Sequence, residues 1–145
     1  MKARQIHEQG GQRTFVAILD PGDEVMACLQ RLCEQESISA AQISAIGAFS
    51  EATLAFWDTE KKTYLEHPVA EQTEVLSLLG DVSEEPTGKP RLHLHAVLGR
   101  RDASTLGGHL LSGKVRPTLE VILTESPAHL RRVHDESLGL AVIRL

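Results

Sequence analysis

The tightest constraint on this chain is the alternation in residues 91–99, RLHLHAVLG. Leu92, Leu94, Ala96 and Leu98 fall on every second position, the pattern of a half-buried strand. Successive side chains on a strand point to opposite faces, so His93 and His95 share the face that the leucines do not occupy. The strand thus offers one face to a core and a histidine pair to the other side. After a polar loop comes Gly107-Gly108-His109, a third imidazole behind two residues that let a backbone bend and approach closely.

The rest of the chain reads as more strands around one helix. Residues 2–8 and 12–19 form two strands about a Gly10-Gly11 turn, since Thr14 to Leu19 is rich in strand formers and Gly-Gly links hairpins. Asp20 is placed as a helix N-cap, with Pro21 at the first helical position, where its missing N–H costs nothing. Val25, Met26, Leu29, Leu32 and Cys33 then recur at helical spacing, and the helix runs to about Glu36. Residues 41–50 and 52–58 read as successive strands, with a bulge or close approach at Gly47. Phe56 and Trp57 are placed in the core or at a subunit interface. Strands are expected at 63–69 and 71–80, then a polar loop over 83–90. A long strand follows over 115–125 with Pro117 near its start, then short strands at 129–134 and 140–145. No repeat or linker divides the 145 residues, so a single α+β domain over 1–145 is predicted.

Composition narrows the function. A net charge of −5 argues against a non-specific grip on nucleic acid, which depends on neutralising phosphates with Lys and Arg. Arg100-Arg101, Lys114 with Arg116, and Arg131-Arg132 read as solvated surface pairs. Three Phe, one Trp and one Tyr leave little for stacking on bases. No apolar run approaches the ~20 residues of a membrane span, so no membrane partner is expected. The first residues lack a signal-peptide core, which makes the cytoplasm the expected location. Cys28 and Cys33 fall on different sides of the helix and are expected to remain free thiols.

Neutral imidazole is the commonest metal ligand, and a catalytic zinc site typically has three protein ligands and one open position. His93, His95 and His109 are the candidate ligands for zinc or another divalent transition metal. Such an ion supplies Lewis acidity suited to hydrolytic or decarboxylation chemistry. Structural hydrogen bonds or subunit contacts would explain a His-x-His equally well, so on the residues alone both readings stand. His7, His67, His129 and His134 are placed at the surface. Glu74 and Glu120 are the carboxylates that could orient an imidazole from behind, an arrangement common at metal sites. There is no nucleophile elbow, phosphate loop or CxxC motif.

HLHAVLG at 93–99, GGHLLSGKV at 107–115 and EVIL at 120–123 resemble the plants-and-prokaryotes-conserved (PPC) domain. LDPGDEV at 19–25, ISAAQISAIGAFSEATLAFWD at 38–58 and EVLSLLGDVS at 74–83 extend the resemblance over nearly the whole chain. It implies an α+β fold, a mainly antiparallel sheet with one principal helix, assembled as a homotrimer. It also implies a DNA-binding or regulatory role and, as in some prokaryotic members, zinc held by residues matching His93, His95 and His109. The fold is similar to that of acetolactate decarboxylase, which implies the alternative of a small metal-dependent enzyme or small-molecule-binding protein. Two features depart from the plant pattern. The sequence contains no Arg-Gly-Arg-Pro AT-hook, and Glu71-Gln72-Thr73-Glu74 stands where plant members read Gly-Arg-Phe-Glu.

Overall fold

The structure, a computed structural model, describes residues 1–126 and 130–144. Among them run β1 (Lys2–Gln9), β2 (Gln12–Leu19), α1 (Val25–Gln35), β3 (Ala41–Asp58), β4 (Thr63–Val69) and β5 (Thr73–Glu84). They are followed by β6 (Pro90–Gly99), β7 (Thr105–Glu125), β8 (Arg131–Asp135) and β9 (Leu140–Arg144). This is the expected α+β fold, a mainly antiparallel sheet with one helix. The single parallel pairing among described residues joins Glu84 of β5 to Arg131 of β8.

The sheet follows the order β1-β2-β7-β3-β5-β8-β9, with β4 on β3 and β6 bridging β5 and β7. Because β3 pairs with both β5 and β7, and β6 also pairs with both, those four strands form a closed hydrogen-bonded ring. Its inner face takes Leu92, Leu94 and Leu98 from β6, Leu78 from β5, and Phe49, Leu110 and Leu119 from β3 and β7, all buried. α1 contributes Val25, Cys28, Leu29, Leu32 and Cys33 to the same core. Burial pushes the Cys33 thiol up to about 12 and raises Cys28 as well, so both remain protonated free thiols.

Three expectations change and a fourth narrows. The helix begins at Val25, and its cap is Glu24, whose carboxylate accepts from the N–H groups of Met26 and Ala27; Asp20 instead accepts a turn bond from Asp23 N–H. The two strands expected across residues 41–58 are one, β3. Gly47 lies within it as the bulge the sequence suggested, with φ 152 and shifted register on both sides. A Cβ there would sit 2.3 Å from the carbonyl oxygen of Thr118. Of the two places expected for Phe56, core or subunit interface, its 64% exposure removes the core. Finally, β7 begins at Thr105, so Gly107, Gly108 and His109 belong to a 21-residue strand and not to a loop. The starting and closing residues of the last two expected strands, His129 and Leu145, lie outside the described residues.

Candidate metal centre

Strand pairing brings the three histidines together. His93 and His95 project from the outer face of β6, as their alternation requires. β7 runs antiparallel beside it, with His109 directly opposite His95. The register is held where β7 squeezes between β6 and β3: at Gly108 a Cβ would lie 2.8 Å from the Ala55 carbonyl oxygen. The glycine therefore serves close packing of an extended strand, not the bend expected from the sequence.

Each histidine offers one ring nitrogen, and the three nitrogens lie within 4.8 Å of one another. Nε2 of His93 and Nε2 of His95 are 3.2 Å apart. Zinc–nitrogen bonds of 2.0–2.1 Å in tetrahedral geometry require an edge of about 3.3 Å, and two such bonds span at most about 4.2 Å. One pair already matches, and the widest needs to close by roughly 1.5 Å to reach that edge, within reach of side-chain rotation. Nδ1 of His109 is buried and has no hydrogen-bond partner among the described residues, an unmet lone pair or proton of the kind a ligating ring resolves.

The electrostatics favour ligation too. Burial, followed by the charges of His93 and His95, pushes His109 down to about 4. Burial and then His93 lower His95. Both rings are neutral at pH 7, the form that binds a metal.

The surrounding residues were not legible in advance. Tyr64 of β4 stacks on His109, with centroids 4.8 Å apart and planes at 27°, and Trp57 of β3 packs edge-on against Tyr64 at 4.9 Å. The carboxylate beside the cluster is Asp81 of β5, with Oδ2 3.6 Å from Nδ1 of His93. Arg132 of β8 places Nη2 3.1 Å from the same nitrogen. Burial works against the charge on Asp81, but interactions with His93 and Arg132 outweigh it and hold the carboxyl below its ordinary range.

Glu74 and Glu120 do not take the place expected of them. Glu74 lies five residues along β5 from Leu79, the residue paired with His95, about 15 Å at strand rise. Glu120 is separated from β6 by β3 and β5, about 14 Å across the sheet. Instead the two line one shallow pocket with Ile46, Gly47, Val75 and Leu76. Both side chains face outward, but the phase of a strand fixes a face and not a position along it. His7, His67 and His134 are exposed, as expected.

The sequence pattern of the Plants and Prokaryotes Conserved (PCC) domain matches residues 6–127. The chain belongs to this family. Its fold is shared by a metal-containing protein from Archaeoglobus fulgidus, 37% identical over 91% of this chain and 93% of that one, with a TM-score of 0.84. A PPC protein from Pyrococcus horikoshii is 29% identical over 96% and 98%, with a TM-score of 0.86. A Bacteroides thetaiotaomicron protein designated a "putative DNA binding protein" is 28% identical over 98% and 96%, with a TM-score of 0.87. No curated protein matches. As a PPC-domain chain carrying three converging imidazoles, this protein could hold a metal ion; among its described residues no helix is long and apolar enough to cross a membrane.

Proposed function

We propose that this PPC-domain chain is a homotrimeric metal-binding protein in which His93, His95 and His109 ligate one divalent transition ion. Zinc is the ion that three neutral imidazoles suit best. The observation that carries this reading is the convergence of three ring nitrogens within 4.8 Å. The metal-containing relative from Archaeoglobus fulgidus supports it. Three protein ligands leave room on the ion for a small molecule, so a sensor or a Lewis-acid enzyme is the class of role that follows.

The homotrimer is supported by the outer face of the sheet. Register pairs make one continuous row from Arg4 through Val16, Ile122, Ser44 and Leu79 to His95 and His109. On that face Ile46 is 59% exposed, Leu76 and Leu79 53%, and Ile122 50%. A contiguous apolar face of this kind marks an interaction surface.

Elemental analysis of untagged protein after zinc loading should give about one ion per chain. His95→Ala should abolish binding while the fold, read by circular dichroism, persists. Wild-type protein that takes up no metal would end this reading.

Association with DNA is a second reading, favoured by the designation of the Bacteroides relative. In this acidic chain it would rest on exposed cations such as Lys2 and Arg4 of β1. A salt-dependent gel shift with random and AT-rich duplexes should then appear at low salt. The absence of any complex at micromolar protein excludes it.

A further inference from the structure

The Arg132 side chain is only 8% exposed, whereas its neighbour Arg131 lies in solvent. Residue 132 also lies beyond the stretch matched by the family pattern, residues 6–127. It is held from every side. Nε donates to the Ser83 hydroxyl at 2.6 Å and Nη1 to the carbonyl of Ala141 on β9 at 2.9 Å. Nη2 donates to Asp81 Oδ1 at 2.9 Å and reaches Oδ2 at 3.2 Å.

From this geometry we infer that Arg132 is a positioning residue for the histidine cluster: it clamps Asp81 against the back of His93, so that Asp81 orients that ring toward a bound ion. The inference rests on the three-histidine reading proposed above. Nε2 of His93 is the atom turned toward His95, and a ligating Nε2 must carry a lone pair. The ring proton then belongs on Nδ1, where it needs an acceptor. A guanidinium has none to offer. In this geometry Nδ1 faces Nη2 of Arg132 at 3.1 Å and Asp81 Oδ2 at 3.6 Å, so a proton moved to Nδ1 is repelled by the guanidinium and finds its nearest acceptor, after a small turn of the ring, in the carboxylate. Without Asp81 only the Arg132 donor would remain beside that nitrogen, which favours a lone pair on Nδ1 and puts the proton on the ligating atom. The carboxylate therefore selects the tautomer, and the guanidinium fixes the carboxylate. A lysine cannot reproduce this, since one ammonium cannot span Ser83, Ala141 and Asp81 with the spread of a planar fork. The β8–β9 hairpin, far along the chain from the histidines, is in this way tied to their geometry.

The test compares wild type, Asp81→Asn, Arg132→Met and the double variant. Zinc affinity is measured by chelator competition, the cobalt-substituted visible spectrum is recorded, and circular dichroism follows the fold. Asp81→Asn should weaken zinc by about 10–100-fold with the fold intact, the usual cost of losing a carboxylate behind a ligating imidazole. Arg132→Met should do the same, and the double variant should be no weaker than the worse single. In the zinc-loaded protein the ¹⁵N shift of His93 Nδ1 should move on Asp81→Asn and on Arg132→Met as its hydrogen bond to the carboxylate is lost, while those of His109 hold, a selective change that a merely structural Arg132 would not give. Should Arg132→Met fail to fold, Asp81→Asn and the ¹⁵N shifts decide the matter. Wild type that binds zinc while Asp81→Asn keeps the same affinity and cobalt spectrum overturns the positioning role and leaves the three-histidine site standing. Wild type that binds no metal overturns both.

Discussion

The outer face of the sheet carries two groups of titratable residues that differ in how they are supported. At one end, two of the three rings are supported by their own chain: Tyr64 stacks on His109, and Asp81 and Arg132 back His93, while His95 is exposed. At the other, Glu74 and Glu120 sit beside Ile46 and Leu76 with no ion pair or hydrogen bond to their side chains among the described residues. Both apolar neighbours are more than half exposed. Enclosure within one chain is what a preorganised ligand site needs, because ligands held by packing and hydrogen bonds do not pay to be ordered on binding. Bare apolar surface with unpaired charges at its rim is what a subunit contact leaves behind when a chain is considered by itself.

The largest expected effect tests the second end. If the proposed trimer forms through this face, Ile46→Asp with Leu76→Asp should convert it to monomer in sedimentation velocity at micromolar concentration. Burying each of these side chains contributes about 1.5–3 kcal/mol, and a trimer counts each substitution three times. A double variant that sediments like wild type would place the assembly elsewhere. The folded monomer should retain its circular dichroism spectrum, since neither residue enters the core.

A smaller effect is expected at the histidine end. Gly108→Ala places a Cβ 2.8 Å from the Ala55 carbonyl oxygen, and only movement of β3 or β7 relieves it. Strain of this kind costs about 1–3 kcal/mol, to be read from the midpoint of denaturant unfolding. Because His109 is the next residue, zinc affinity should fall along with stability. Unchanged stability would mean the strands have slack, and the centre would then be less fixed than its packing implies.

The sequence revealed what depends on local period. The His93–His95 pair, the leucine face behind it, the Gly47 bulge and the first hairpin follow from neighbours a few residues apart. The direct facing of His95 and His109 depends on which strand lies beside which, and no local pattern states that. Asp81 and Tyr64 arrive from β5 and β4 by the same route. Arg132 was misread because Arg131-Arg132 is indistinguishable from a surface pair until β8 docks beside β5. Its alternation, one arginine out and one in, is visible only once the strand is known. The capping residue was misplaced for a related reason: Asp20-Pro21 has the chemistry of a helix start, yet Glu24 caps the helix and also accepts from Gly113 N–H on β7. A long-range contact decided the cap.

The smallest expected effect is the sharpest test of the contrast. Glu74→Gln and Glu120→Gln each remove a charge and retain the shape of the side chain. If these carboxylates belong to the assembly end, zinc stoichiometry and affinity should remain within about twofold of wild type, because a screened charge some 14–15 Å away contributes only a few tenths of a kcal/mol. Dissociation of the proposed trimer should respond instead, by up to about 1 kcal/mol per site if the pocket stays wet and by more if it is sealed. Paired titrations, one of zinc affinity and one of dissociation against protein concentration, separate the two. A loss of zinc affinity on either substitution, comparable to that of Asp81→Asn, would mean that the two ends communicate. In that case a neighbouring copy must bring these carboxylates to the histidines, which a single chain's geometry keeps apart.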